Sequence, residues 1–188
     1  MRIALFVTLL GALAACGTTG GGKASGPTST SVSGSAGGQS FAVKDAVGLY
    51  NTAEEYSGVF ITDFSGSCTL LGSGMTVPPS TQLLAIELVA NGIGMPPGPG
   101  TYTLGTTQNV EILVSYAASD ANCNETVDEQ ATGASVTLDT VNTTTVTGTF
   151  DVTFPNGDHL TGQFDAPVCN IDLDNLGSNG GDCVGSDQ

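Results

Sequence analysis

Few groups in this chain could do chemistry. Its 188 residues include five cysteines, one histidine, and eighteen acidic residues against three basic ones, a formal net charge of −15 at pH 7. The cysteines are Cys16, Cys68, Cys123, Cys169 and Cys183, and no two form the CxxC pair that commonly holds zinc. The one histidine, His159, follows the turn-forming run Pro155-Asn156-Gly157-Asp158. A Ser-His-Asp relay needs its imidazole oriented in a cleft, whereas a hairpin tip is normally solvated. Neither a G-x-S-x-G nor an H-E-x-x-H motif is present, so no catalytic residue is expected. Asp172 and Asp174 open a run that echoes a calcium loop, but Leu176 takes the third ligand position and Cys183 the twelfth. That leaves at most a weak calcium site, and the sequence implies no cofactor.

The charge pattern excludes one class of partner. After Lys44 the chain has no Lys or Arg, so nothing is available to neutralise phosphates and release their counterions. Nucleic-acid binding is therefore not expected. The carboxylates read first as a solvated, self-repelling surface, and second as a means of capturing cations or a basic partner.

The N-terminus is more specific. Met1-Arg2 precedes an apolar stretch, Ile3 to Ala15, which is too short for the ~20 residues a membrane-spanning helix needs. A charged start, a short apolar centre and small residues at the end describe a secretory signal over residues 1–15. Leu13-Ala14-Ala15-Cys16 resembles the bacterial lipobox, in which small residues precede a cysteine that is alkylated with diacylglycerol and becomes the new N-terminus. Several acyl chains anchor far better than one. Gly17 stands where lipoproteins retained at the inner membrane carry Asp, so the resemblance implies an outer-membrane address for a chain lipidated at Cys16. Between Gly17 and Ser40 the sequence contains eight Gly, six Ser and four Thr. Such a composition buries too little to fold, so residues 16–40 are expected to be the lipidated cysteine plus a flexible linker reaching roughly 25–30 Å.

From 41 to 188 the texture changes to short alternating runs between turn residues. Strands are expected over 57–64, 82–89, 102–104, 110–116 and 134–139, with a short helix near 67–72 and a weaker helical turn around Lys44–Tyr50. The fold class is thus all-β, an antiparallel sandwich or barrel of about 7–9 strands with one short helix. The clearest signal is residues 146–169, VTGTFDVTFPNGDHLTGQFDAPVC, in which two Thr-Gly-X-Phe-Asp pentads flank a turn. An odd loop length keeps both apolar sets on one face. A three-residue turn at Asn156-Gly157-Asp158 would oppose Phe154 to Leu160, Val152 to Gly162 and Phe150 to Phe164, and would bring Asp151 near Asp165. This hairpin and its FDAPVC ending look like those of uncharacterised lipoproteins of Gram-negative bacteria, with the similarity covering about residues 41–170. That resemblance implies a β domain on a Gly/Ser linker and carries no assigned activity.

With Cys16 lipidated, four cysteines remain for two disulfides. If the strands form an up-and-down meander, Cys68 and Cys169 share one end and Cys123 lies at the other, which favours Cys68–Cys169 with Cys123–Cys183. The expected function is a non-enzymatic interaction or structural module, anchored by lipid at the outer membrane, with an envelope protein or glycan as partner. The alternative is a barrel carrying a small apolar ligand in its interior.

Overall fold

The structure is a computed structural model and describes residues 29–73, 78–92 and 94–169. Strands that alternate apolar and polar residues bury one face each, and two such sheets stack here into a sandwich. One sheet has the order β2-β1-β11-β10-β9-β6 and the other β3-β4-β5-β7-β8, with all strand pairs antiparallel. The first comprises β1 (Ser31–Ala36), β2 (Gln39–Ser40), β6 (Gly100–Thr103), β9 (Gly133–Val141), β10 (Thr145–Thr153) and β11 (His159–Pro167). The second comprises β3 (Asp45–Asn51), β4 (Tyr56–Thr62), β5 (Gln82–Ala90), β7 (Val110–Ser119) and β8 (Glu125–Gln130). The one helix among the described residues, α1 (Ser67–Ser73), lies where the sequence places it.

The main core sits between the sheets. Leu84, Ile86 and Leu88 of β5, Ile112, Val114 and Tyr116 of β7, and Phe150, Val152, Leu160 and Phe164 of the β10–β11 hairpin all bury there. A second apolar cluster, formed by Val47, Leu49, Tyr56, Phe60 and Ala85, occupies the opposite face of the second sheet.

Several expectations need correcting. The linker does not run to Ser40: Ser31–Ala36 pairs along β11 from Ser31↔Gln163 to Gly34↔Leu160. Backbone hydrogen bonding to an exposed edge asks little of side chains, so a Ser/Gly-rich segment can be a strand. The turn of helix expected around Lys44–Tyr50 is strand β3, and β4 beside it is buried at every position. Apolar burial on both faces of these strands erases the alternation that marks a strand in sequence. Strand β8 was not foreseen, since only alternate residues of Glu125–Gln130 are even half-buried. The single meander is replaced by two sheets, with β6 crossing from the β5–β7 neighbourhood to pair with β9.

The hairpin register also differs. Parity is as expected, but the pairing is displaced by two residues, to Val152↔Leu160, Phe150↔Gly162 and Gly148↔Phe164. The loop is accordingly Phe154–Asp158, closed by Phe154 N–H donating to the Asp158 carbonyl at 2.9 Å, with Gly157 at φ +88°. In this register each pentad's glycine faces the other's phenylalanine and each threonine the other's aspartate (Thr147↔Asp165, Asp151↔Thr161). The rings fill the space the glycines leave. A Cβ on Gly162 would lie 2.7 Å from Phe150 Cζ, and one on Gly148 would lie 2.8 Å from Phe164 Cζ. The two rings stack with centroids 6.5 Å apart. This packing of aromatic over glycine, twice over, selects the register among those of equal parity.

Gly162→Ala is expected to destabilise the domain by about 2–3 kcal/mol, because the new methyl must displace Phe150 and the β1 backbone at Ser31. Gly133→Ala, whose nearest neighbour would be 3.9 Å away, serves as the neutral control. Urea denaturation of the two variants decides it, and equal midpoints would contradict the glycine–phenylalanine account.

Candidate functional site

Cys16, Cys183, Asp172 and Asp174 lie outside the described residues. Cys68 and Cys169 are joined, with Cα atoms 5.6 Å apart across 101 residues of sequence, as the topology argument favoured. What delivers Cys169 is Gly48, whose carbonyl accepts from Cys169 N–H at 2.9 Å. Closing so long a loop contributes about 4–5 kcal/mol in the chain-entropy model. Cys123 is also disulfide-bonded; the partner favoured for it, Cys183, is not among the described residues.

His159 lies on the outer face of β11, its Nε2 2.9 Å from Asp151 Oδ1, with both side chains about half or more exposed (49% and 64%). The pair is a surface contact. Asp151 and Asp165 do not meet, since the observed register places a threonine opposite each. On the same outer face, Ser29, Asp139, Thr149, Gln163 and Asp165 line a shallow polar groove of about 200 Å³ that opens to solvent. Asp45 is buried but fully used, accepting N–H groups from Ala46, Gly66 and Ser67 at 2.9 Å and so capping the start of α1.

Glu87 stands apart. It projects from β5 toward the second apolar cluster, opposite Gly58 on one side and Leu113 on the other. Burial pushes its carboxyl up to about 7. Tyr56 nearby is raised by its own burial and then by the charges of Glu87 and Glu54. A carboxyl titrating near 7 is a possible general acid. A glycosidase would add a second carboxylate in register with it, yet burial alone accounts for the shift of Glu87.

One end of the sandwich gathers polar groups from most of the chain. Tyr116 on β7 and Glu129 on β8 are directly opposed and point between the sheets. Gln82, at the start of β5, lies on the same inward face one pair along, opposite Ala118. Asp63 holds Gln82 in place: its Oδ1 accepts from Gln82 N–H at 2.8 Å, and its own N–H donates to the Gln82 carbonyl at 3.2 Å. From the other sheet the β10–β11 loop supplies Asn156, whose Nδ2 donates to Glu129 Oε1 (3.1 Å) and to Asp158 Oδ2 (2.9 Å). Asp158 is held by Ser35 Oγ at 3.0 Å and Gly38 N–H at 2.8 Å. The β1–β2 hairpin lies across this mouth, and Gln39 Oε1 accepts from Gln82 Nε2 at 3.2 Å.

Inside that ring of contacts three buried polar atoms have no hydrogen-bond partner: Gln82 Oε1, Tyr116 OH and Glu129 Oε2. Tyr116 is 1% exposed and packed edge-on between Phe41 and Phe154, at centroid distances of 6.2 and 6.1 Å. Burial, then the charges of Asp63, Asp158 and Glu129, push its phenol up to about 12. The Asp158 carboxyl is held below the usual range, first by the Gly38 N–H. The mouth therefore presents acceptors and negative charge around one phenol. Among the described residues, no three His, Cys, Asp or Glu side chains lie close enough to hold a metal ion. The sequence hinted at this site in one place only, where Tyr116 shares a strand face with Val110, Ile112 and Val114 and so carries a polar tip into the core.

Compared with known proteins, the chain matches no family model, no curated protein and no solved structure.

Because the Tyr116 hydroxyl has no partner to lose, Tyr116→Phe is expected to leave stability within about 0.5 kcal/mol of the parent or raise it. A loss above about 1.5 kcal/mol in urea titrations would reveal a hydrogen bond and remove the phenol from the unpartnered set. For Glu87 the sign is as follows. Its folded pKa lies above its unfolded value of 4.5, so the native state holds the extra proton and stability falls as pH rises from there to about 7. The fall amounts to at most about 3 kcal/mol at 1.36 kcal/mol per unit. Glu87→Gln should abolish this slope and stabilise the domain at pH 8 but not at pH 4, as measured by denaturation at both.

Proposed function

We propose that this chain is a non-enzymatic interaction domain of the bacterial cell envelope, held at the outer membrane by lipid on Cys16 and presenting the mouth of its sandwich to a partner. The observation that carries this reading is the direction of β1. The segment bearing Cys16 joins the domain at Ser29, beside Asp165 (Ser29 Oγ to Asp165 Oδ2, 3.5 Å). From there β1 runs along β11 to Ala36, next to Asp158 at the mouth. Five residue steps at ~3.3 Å separate the two ends of β1 by roughly 17 Å. A tether entering at one end leaves the acceptor-rich mouth at the other, facing away from the anchor. The lipobox-like LAAC, the Gly/Ser/Thr segment that follows it and the absence of cations after Lys44 all suit the same arrangement.

An apolar-ligand carrier would need open space between the sheets. The side chains packed there, Phe154, Phe164, Leu84, Ile86 and Leu138 among them, favour the interaction module instead.

Mass spectrometry of the protein recovered from cell envelopes tests the anchor. The mature chain is expected to begin at Cys16 and to carry diacylglycerol and an N-acyl group, and Cys16→Ala should leave the chain unprocessed. An unmodified N-terminus beyond Cys16 would overturn the reading.

A further inference from the structure

The geometry points to the mouth of the sandwich as a receptor for a primary ammonium group, a deeper reading that rests on the interaction function proposed above. An alkylammonium presents three N–H donors on one atom and no acceptor. The mouth offers three buried atoms that can accept and have no partner: Gln82 Oε1, Tyr116 OH and Glu129 Oε2. Three carboxylates, those of Asp63, Asp158 and Glu129, lie near enough to act on the Tyr116 phenol, so the local field favours a cation. Phe41 and Phe154 flank Tyr116 edge-on, so π surface lies beside the phenol, while the stem of the ammonium points out through the mouth. Among the described residues nothing supplies that group. Lys44, the one Lys or Arg among the described residues, is exposed and forms no ion pair.

Access is governed by the β1–β2 hairpin. Its turn, Gly37–Gly38, has both φ angles positive (+58° and +71°), and it reaches Gln82 through the single Gln39 contact of 3.2 Å. Lifting Gln39 uncovers Gln82 Oε1 without breaking any pair of β1 with β11. The incoming ammonium then exchanges water for three charge-assisted hydrogen bonds in a place where the acceptors were already desolvated.

The test is an NMR titration of the isotope-labelled full chain in non-ionic detergent micelles. With n-butylammonium, the side-chain amides of Gln82 and Gln39 and the Tyr116 ring are expected to shift and saturate together. Glu129→Gln should weaken binding about tenfold or more, the loss of one hydrogen bond to a charged group. Asp139→Asn removes the same charge from the far outer face and should change affinity less than twofold. If Glu129→Gln does not fold, Tyr116→Phe is read in its place and should weaken binding about fivefold. Saturable shifts with Nα-acetyl-lysine amide would assign the ammonium to a lysine side chain of a polypeptide; shifts with n-butylammonium alone would assign it to a free amine. Equal binding of tetramethylammonium, which has no N–H, would overturn the proposal, as would unchanged affinity in Glu129→Gln. Failure of the lipid anchor appears instead in the mass of the N-terminus, so the two readings fail separately.

Discussion

The fold depends on two phenylalanines that each need a glycine across the strand. Phe150 lies over Gly162 and Phe164 over Gly148, and no other register of the β10–β11 hairpin satisfies both at once. A buried aromatic removes some 150–250 Å² from water, and a stacked pair adds about 0.5–1.5 kcal/mol beyond that. A slip of two residues would keep every apolar side chain inward yet set Phe150 against Phe164 and leave Gly162 opposite Val152 and Gly148 opposite Ala166, with no ring over either glycine. Parity therefore decides the face, and ring-over-glycine packing decides the register.

That choice propagates. With Thr153 paired to His159, the loop is long enough to turn Asn156 back toward β8 and Asp158 toward the β1–β2 hairpin. Gly162 also lets the β1 backbone approach at Ser31, so the edge strand and the hairpin loop close over the same end of the sandwich. The second sheet contributes its part through the opposed pair Tyr116 and Glu129, and Asp63 fixes the start of β5. The mouth is therefore a product of registers in both sheets rather than of any local motif.

This explains what could be read from the sequence. Alternation at Val110, Ile112, Val114 and Tyr116 and along both pentads was enough for an antiparallel β domain, whereas the Cys68–Cys169 bond is present although the single meander that favoured it is replaced by two sheets. Strands β3 and β4 lost their signature because apolar clusters cover both faces. Strand β1 had none to lose, since its Ser and Gly residues contribute backbone hydrogen bonds and one buried alanine, Ala36. Once β1 is miscounted as linker, Gln39 and Ser35 drop out of any candidate site. The remaining mouth residues are drawn from positions 63 to 158, brought together only by the pairing. Spacing along the chain has no access to such a cluster.

The interior treats its polar groups unequally, and the contrast is informative. Asp45 is as deeply placed as the core side chains, yet each of its neighbours donates to it, so its burial is structural. Glu87 faces apolar side chains and responds by holding its proton to about 7, which limits the cost of its position at low pH. The three atoms at the mouth have no such partner among the described residues, and a buried, unpartnered acceptor costs about 1–3 kcal/mol. The disulfide that closes 101 residues works in the other direction, contributing about 4–5 kcal/mol in the chain-entropy model. Replacing Tyr116 by phenylalanine would remove one of these atoms without changing how the ring packs between Phe41 and Phe154. These atoms gather in one place, among carboxylates and beside a hairpin that touches Gln82 through the Gln39 side chain, and it is this convergence, rather than any one residue, on which the proposed ammonium receptor rests.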